Sequence, residues 1–154
     1  MARFSFSRSV DIAAPRERVH AFVDDFHEWT AWSPWEGVDP RLERRYSGAE
    51  RGTGAEYGWS GNRRAGQGSM LIRSSSPERI DVELRFTKPF KATNDTRFDF
   101  ADTPGGTRVT WTMSGENRGL SALIWKLMPM ERELGKQFEQ GLRDMKAAAE
   151  SGRA

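Results

Sequence analysis

Residues 120–145 read LSALIWKLMPMERELGKQFEQGLRDM, and the spacing of the apolar residues in that stretch decides the fold. Leu120, Leu123, Ile124, Leu127 and Met128, followed by Met130, Leu134, Phe138, Leu142 and Met145, recur at steps of three and four, the period of an amphipathic helix. Pro129 lies inside the stretch. Its ring removes an amide donor and crowds the preceding turn, so the helix breaks or kinks near Leu127 and a short lead-in helix precedes the main one.

Upstream the period is two. Ile80, Val82, Leu84 and Phe86 alternate with Asp81, Glu83 and Arg85, and Val109, Trp111 and Met113 alternate with Arg108, Thr110 and Thr112, as half-buried strands do. Phe98 and Phe100 share a face, as do Tyr57 and Trp59, Met70 and Ile72, and the shorter pair Leu42 and Tyr46. Turn signals recur between these runs: Ser47-Gly48, Gly52 and Gly54, Gly61-Asn62, Ser74 to Pro77, Lys88-Pro89 and Pro104-Gly105-Gly106. Short strands at such intervals predict an antiparallel meander and not a parallel sheet with crossover helices. At the other end, Phe4, Phe6, Val10 and Ile12 share one parity and form a first strand, which makes seven in all. Two short helices follow it. Pro15 opens one with the stripe Val19, Phe22 and Val23, and Phe26, Trp29, Trp32 and Trp35 at spacings of three mark a second that runs into a loop ending at Gly37.

A sheet with one apolar face must bury it, and only the terminal helix is long enough to cover it. The expected class is therefore α+β: a seven-stranded curved antiparallel sheet wrapped around a long C-terminal helix, in a single domain over residues 1–154. A helix about 10–12 Å across underfills the concavity of a twisted sheet, so a cavity is expected. Its expected lining is Tyr57, Trp59, Met70, Leu84, Phe86, Phe98, Phe100, Trp111 and Met113 from strands, with Leu127, Met130, Leu134 and Phe138 from the helix. Aromatic faces and thioethers suit flat, apolar ligands. The plainer alternative is that these side chains are ordinary core.

Composition narrows the function classes. At 154 residues the chain can bury roughly 70% of its unfolded surface as one domain, whereas two domains would each lack a core. Lys+Arg at 24 against Asp+Glu at 22 leaves a formal charge of only +2, no field for holding nucleic acid. The arginines at 41, 44, 45, 51, 63 and 64 are interleaved with Glu43, Glu50 and Glu56, which reads as a solvated strand edge. With no cysteine there are neither disulfides nor thiolate metal sites, and the cytoplasm is the expected compartment. Met1 to Ile12 alternates where a signal peptide needs an unbroken apolar run, and no run of about 18 apolar residues is available for membrane insertion.

Few residues offer chemistry. The two histidines, His20 and His27, lack a second imidazole at the i+4 spacing, so neither a metal nor a cofactor is called for. His20 reads as a partly buried structural residue and His27 as a surface one. Asp81, Glu83, Asp95 and Asp99 fall on the parity opposite to the apolar residues of their strands and should face water. Arg44, Asn94 and Thr96 fall on the inward parity, and Glu116 stands just past its strand. These could orient a ligand carbonyl, hydroxyl or acidic group. The preferred reading is that they satisfy one another or a buried water.

Several phrases carry a resemblance: Val10-Asp11-Ile12-Ala13-Ala14-Pro15 leading into Val19; Trp29 to Trp35; Ser76-Pro77-Glu78-Arg79-Ile80; Lys88 to Asn94; and Gly106 to Gly115. With this layout the sequence resembles the polyketide cyclase/dehydrase and lipid-transport group of the START and birch-pollen-allergen superfamily, often called SRPBCC. The resemblance implies a helix-grip fold with ligand held between helix and sheet, entered near the loop after the second short helix. Trp32 and Trp35 would lie near that entrance. His20 departs from the aromatic residue, often Trp, of similar sequences. The superfamily hosts carriers, cyclases and chaperone activators alike. The leading expectation is binding of a hydrophobic small molecule (lipid, quinone or polyketide-like aromatic) by a monomer or homodimer. A cyclase or dehydrase using Asn94, Arg44 or Glu116, and a chaperone-activating interaction module, are the alternatives.

Overall fold

The period-two segments are strands. A computed structural model of the chain describes residues 2–34, 39–62, 66–88, 91–117 and 130–151. In order these are β1 (Ala2–Ile12), α1 (Arg16–Asp24), a 3-10 helix (Phe26–Ala31), β2 (Glu43–Gly48), β3 (Ala55–Ser60), β4 (Gln67–Ser76), β5 (Arg79–Lys88), β6 (Ala92–Thr103), β7 (Gly106–Asn117) and α2 (Met130–Glu150). The second short helix is of the 3-10 type because Phe26, Trp29 and Trp32 recur every three residues, the 3-10 repeat. The break expected near Leu127, like Pro129 itself, lies outside the described residues, which resume at Met130 in α2. The lead-in helix expected before it lies outside the described residues.

The seven strands form one antiparallel sheet in the order β1-β7-β6-β5-β4-β3-β2. β2 to β7 are a meander, and the helical excursion after β1 lets the first strand pair with the last, from Ala2 opposite Asn117 to Ile12 opposite Thr107. Bulges at Gln67/Gly68 and Ile72/Ser74 bend β4, which helps the sheet curl. This is the helix-grip α+β fold, with α2 laid along β1 inside the curl.

Register sorts the inner face into rows across the strands. Ile12 and Thr107, then Val10, Val109 and Phe100, lie at one end; Trp111, Phe98 and Ile80 come next, followed by Phe6, Met113, Thr96, Val82 and Ile72. Asn94, Leu84, Met70 and Tyr57 make the next row, and Phe86, Gly68 and Trp59 the last. α2 is fixed at the Ile12 end. The Glu150 carboxylate accepts from the Ala13 amide at 2.7 Å, Lys146 donates to the Asp11 carbonyl at 3.1 Å, and Arg18 donates to the Ala149 carbonyl at 2.7 Å, a cation placed on the negative end of the helix. Phe138, Leu142, Met145 and Ala149 then face the sheet, each at most 2% exposed.

The outer face is paved with opposite charges. Arg97 meets Asp81, Arg79 meets Asp99 and Arg108 meets Asp11, each at 2.7 Å. Glu83 points outward as its parity predicts, but it does not face water: Arg73 and Arg85 close over it and leave it 7% exposed. The Arg73 guanidinium bonded to it, followed by Arg85, holds its carboxyl below the usual range against the opposing effect of burial.

Candidate functional site

The interior of the grip has two halves, one filled and one less tightly covered. In the filled half, Phe138 stacks on Trp111 with ring centres 3.7 Å apart and planes 5° from parallel. Trp111 stacks on Phe98 at 5.0 Å and meets the edge of Trp32 at 5.3 Å, while Trp32 lies 4.6 Å from Trp29. The polar atoms of these rings are satisfied by the protein. Trp29 donates to the Val23 carbonyl at 2.9 Å, Trp32 to the Phe22 carbonyl at 2.8 Å, and Trp111 to the Thr96 hydroxyl at 2.9 Å. Thr96 in turn donates to the Thr112 carbonyl at 3.2 Å.

Four of the residues expected to line a cavity, Trp32, Phe98, Trp111 and Phe138, are thus packed against one another here, and Met113 and Thr96 border them. Trp32 is 1% exposed. It is an interior wall and not the rim that the resemblance implied, because the 3-10 turn folds its ring under α1. The large rings take up the space that the underfilling argument left open at this end.

The other half contains Tyr57, Trp59, Met70, Leu84, Phe86, Asn94 and Leu134. Trp59, Phe86 and Leu134 pack on the core but stay half-buried, and Asn94 is half-buried between Leu84 of β5 and Gly115 of β7. The Trp59 ring lies over Gly68, where a β-carbon would come within 2.6 Å of its Cη2, and it meets Phe86 edge-on at 5.7 Å. That β-carbon would also come within 2.3 Å of the Arg85 carbonyl oxygen, so a larger residue at 68 must shift the neighbouring strand as well as the indole. Arg44, exposed on β2, stands opposite Trp59 in the register. Trp35 and Leu127 lie outside the described residues, and Met130 is the first residue of α2.

Among the described residues, the carboxylates of the central strands point away from this half. Glu56, Asp81, Glu83, Asp95 and Asp99, on the central strands, all fall on the outer parity. His20 lies at the closed end, its Nε2 2.9 Å from the Ser76 carbonyl and its ring centre 5.2 Å from that of Phe100, so an imidazole takes the place of the aromatic residue expected there. Among the described residues, no three His, Cys, Asp or Glu side chains come together as a metal site, and no helix is long and apolar enough to cross a membrane.

One feature had no signal in the sequence: a half-open cleft of about 320 Å3 between the 3-10 helix and the β2–β3 turn, lined by Phe26, His27, Tyr46, Ala55 and Glu56 among others. His27 stacks on Tyr46 there with ring centres 3.9 Å apart. Phe26 forms the floor of the cleft and touches Tyr57, 5.8 Å between ring centres, on its inner side.

No curated protein matches the sequence. Solved structures do match in fold. Protein CV1439 from Chromobacterium violaceum superposes with a TM-score of 0.66 at 15% identity, over 95% of this chain and 96% of that one. The di-domain ARO/CYC protein BexL of the BE-7585A biosynthetic pathway gives 0.69 at 17% identity, with 98% of this chain matched to 51% of that one. The Aha1 dimer from Colwellia psychrerythraea gives 0.67 at 14% identity, over 98% and 99% of the two chains. At these identities the likeness is one of fold. The sequence itself, over residues 3–150, matches the family described as polyketide cyclase / dehydrase and lipid transport, and the chain belongs to that family.

Proposed function

We propose that this protein binds an apolar or aromatic small molecule, a lipid, quinone or polyketide-like compound, in the less covered half of the grip, and that it does so in the cytoplasm. The observation that carries this reading is a set of large apolar side chains, Trp59 and Phe86 on the inner face of the sheet and Leu134 on α2, that the fold leaves half-buried, with the half-buried Asn94 in the adjoining row of the sheet. An apolar wall with a few placed polar atoms suits such ligands, since burial supplies affinity and a hydrogen bond supplies orientation. Tyr57, Met70 and Leu84 complete the wall. Trp32, Phe98, Trp111, Met113, Thr96 and Phe138 support it from behind, and Trp35, Leu127 and Met130 are the further lining residues expected from the sequence.

The test is a thermal-shift and native mass-spectrometric screen of the purified chain against a cell lipid extract. A retained small molecule and a raised melting temperature are expected, both weakened in Trp59→Ala and Phe86→Ala. No retained mass and no shift with any fraction would overturn the proposal.

A second reading, catalysis of the cyclase or dehydrase type, draws on the family's description and on the ARO/CYC relative. Asn94 would then orient a polyketone carbonyl. The outward parity of the central-strand carboxylates weighs toward binding, because proton transfer needs an acid or base aimed at the substrate.

A further inference from the structure

The sealed half of the interior ends in a layer of rings. Phe138 is 0% exposed, Trp111 1% and Phe6 6%, and Phe138 is held between the other two at ring separations of 3.7 Å and 5.1 Å. α2 is pressed down at this level. A β-carbon at Gly141 would sit 3.2 Å from the Trp32 carbonyl oxygen and 3.3 Å from Trp111 Cζ3, so the absence of a side chain there lets the helix reach the sheet. Trp111 is also held by its donated bond to Thr96, and swinging it away would leave a buried N–H without a partner. One turn earlier on α2, Leu134 is half-buried. Along this face α2 passes from the half-buried Leu134 to the fully buried Phe138 within a single helical turn.

We infer that the Phe138–Trp111 stack is the floor of the binding space and sets the greatest length of ligand the protein accepts. This rests on the binding role proposed above. Rings at van der Waals distance leave no gap for a methylene group, so a chain that reaches the floor must fold back or displace Phe138. Below that limit each methylene buried strengthens binding about fourfold; above it the gain stops. Phe138 is therefore a specificity-determining residue, whereas Trp59 and Phe86 contribute affinity at every length.

The test uses n-alkylphenols of increasing chain length, titrated by calorimetry into the full chain and into Phe138→Ala, Phe138→Leu and Trp59→Ala, each checked by thermal melting. In the natural protein the affinity is expected to climb and then level off at a fixed length. Phe138→Ala should continue the climb, about fourfold per methylene, past that length. Phe138→Leu, the milder change should the alanine variant not fold, should move the limit less and in the same direction. Trp59→Ala should weaken every member without moving the limit. An unmoved limit in folded Phe138 variants overturns the floor and leaves the binding role intact. Binding of no member by any of the four proteins overturns both.

Discussion

At the scale of single residues, the pair Thr96 and Trp111 shows how a polar group can sit on an apolar face without serving a ligand. The Thr96 hydroxyl accepts from the Trp111 indole and donates to the Thr112 carbonyl, so both its hydrogen-bonding roles are used. Thr96→Val keeps the shape and orphans a buried N–H. It is expected to cost about 1–3 kcal/mol in urea unfolding, and adding Trp111→Phe should recover part of that loss. Parity made Thr96 legible in the sequence as an inward residue, and the preference for an internal partner followed from general physics. Its particular partner was not legible, because a diagonal contact between strands depends on register. Glu83 is the mirror case: its outward direction could be read from alternation, but not its cover, which comes from Arg73 one strand away and Arg85 two residues on.

Elements show where helix and sheet constrain each other. Two glycines on α2 differ in what a methyl group would meet: at Gly135 the far end of the Arg8 side chain, and at Gly141 the Pro34 ring, the Trp32 carbonyl and the Trp111 ring. Arg8 can swing aside, whereas a carbonyl and a packed indole cannot. Gly135→Ala is expected to stabilise the protein by up to about 1 kcal/mol through helix propensity, and Gly141→Ala to lose that gain and lower the melting temperature. The end of α2 carries a pH dependence. The Ala13 amide, then Lys146, holds the Glu150 carboxyl below the usual carboxylate range. A lowered folded value means stability that is fully present above the ordinary value and lost as pH falls through the folded one. The protection factor of the Ala13 amide in hydrogen exchange should therefore hold at neutral pH and drop in acid below about 4.3, and Glu150→Gln should flatten the profile. The apolar face of α2 could be read from the three-and-four spacing. Which inner residues would be sealed and which left half-covered could not, since that depends on where the helix crosses the sheet.

For the molecule as a whole, the two faces of the sheet divide the work. Charge pairs occupy the outside and rings the inside, so mutations on the two faces should be read out differently. Removing a ring from the sealed interior, as in Phe138→Ala, is expected to cost about 3–5 kcal/mol in chemical denaturation. Arg97→Ala, on the exposed side of the Arg97–Asp81 pair, should cost no more than about 1 kcal/mol, and less as salt is added. The order of strands has a further effect, on assembly in time. β1 is synthesised before the meander, yet its strand partner among the described residues, β7, begins at Gly106 and ends at Asn117. A nascent chain must therefore hold β1 unpaired through the synthesis of the whole meander, and contacts of such long sequence separation make for slow closure. The strand made before the meander has to wait for the strand that ends it.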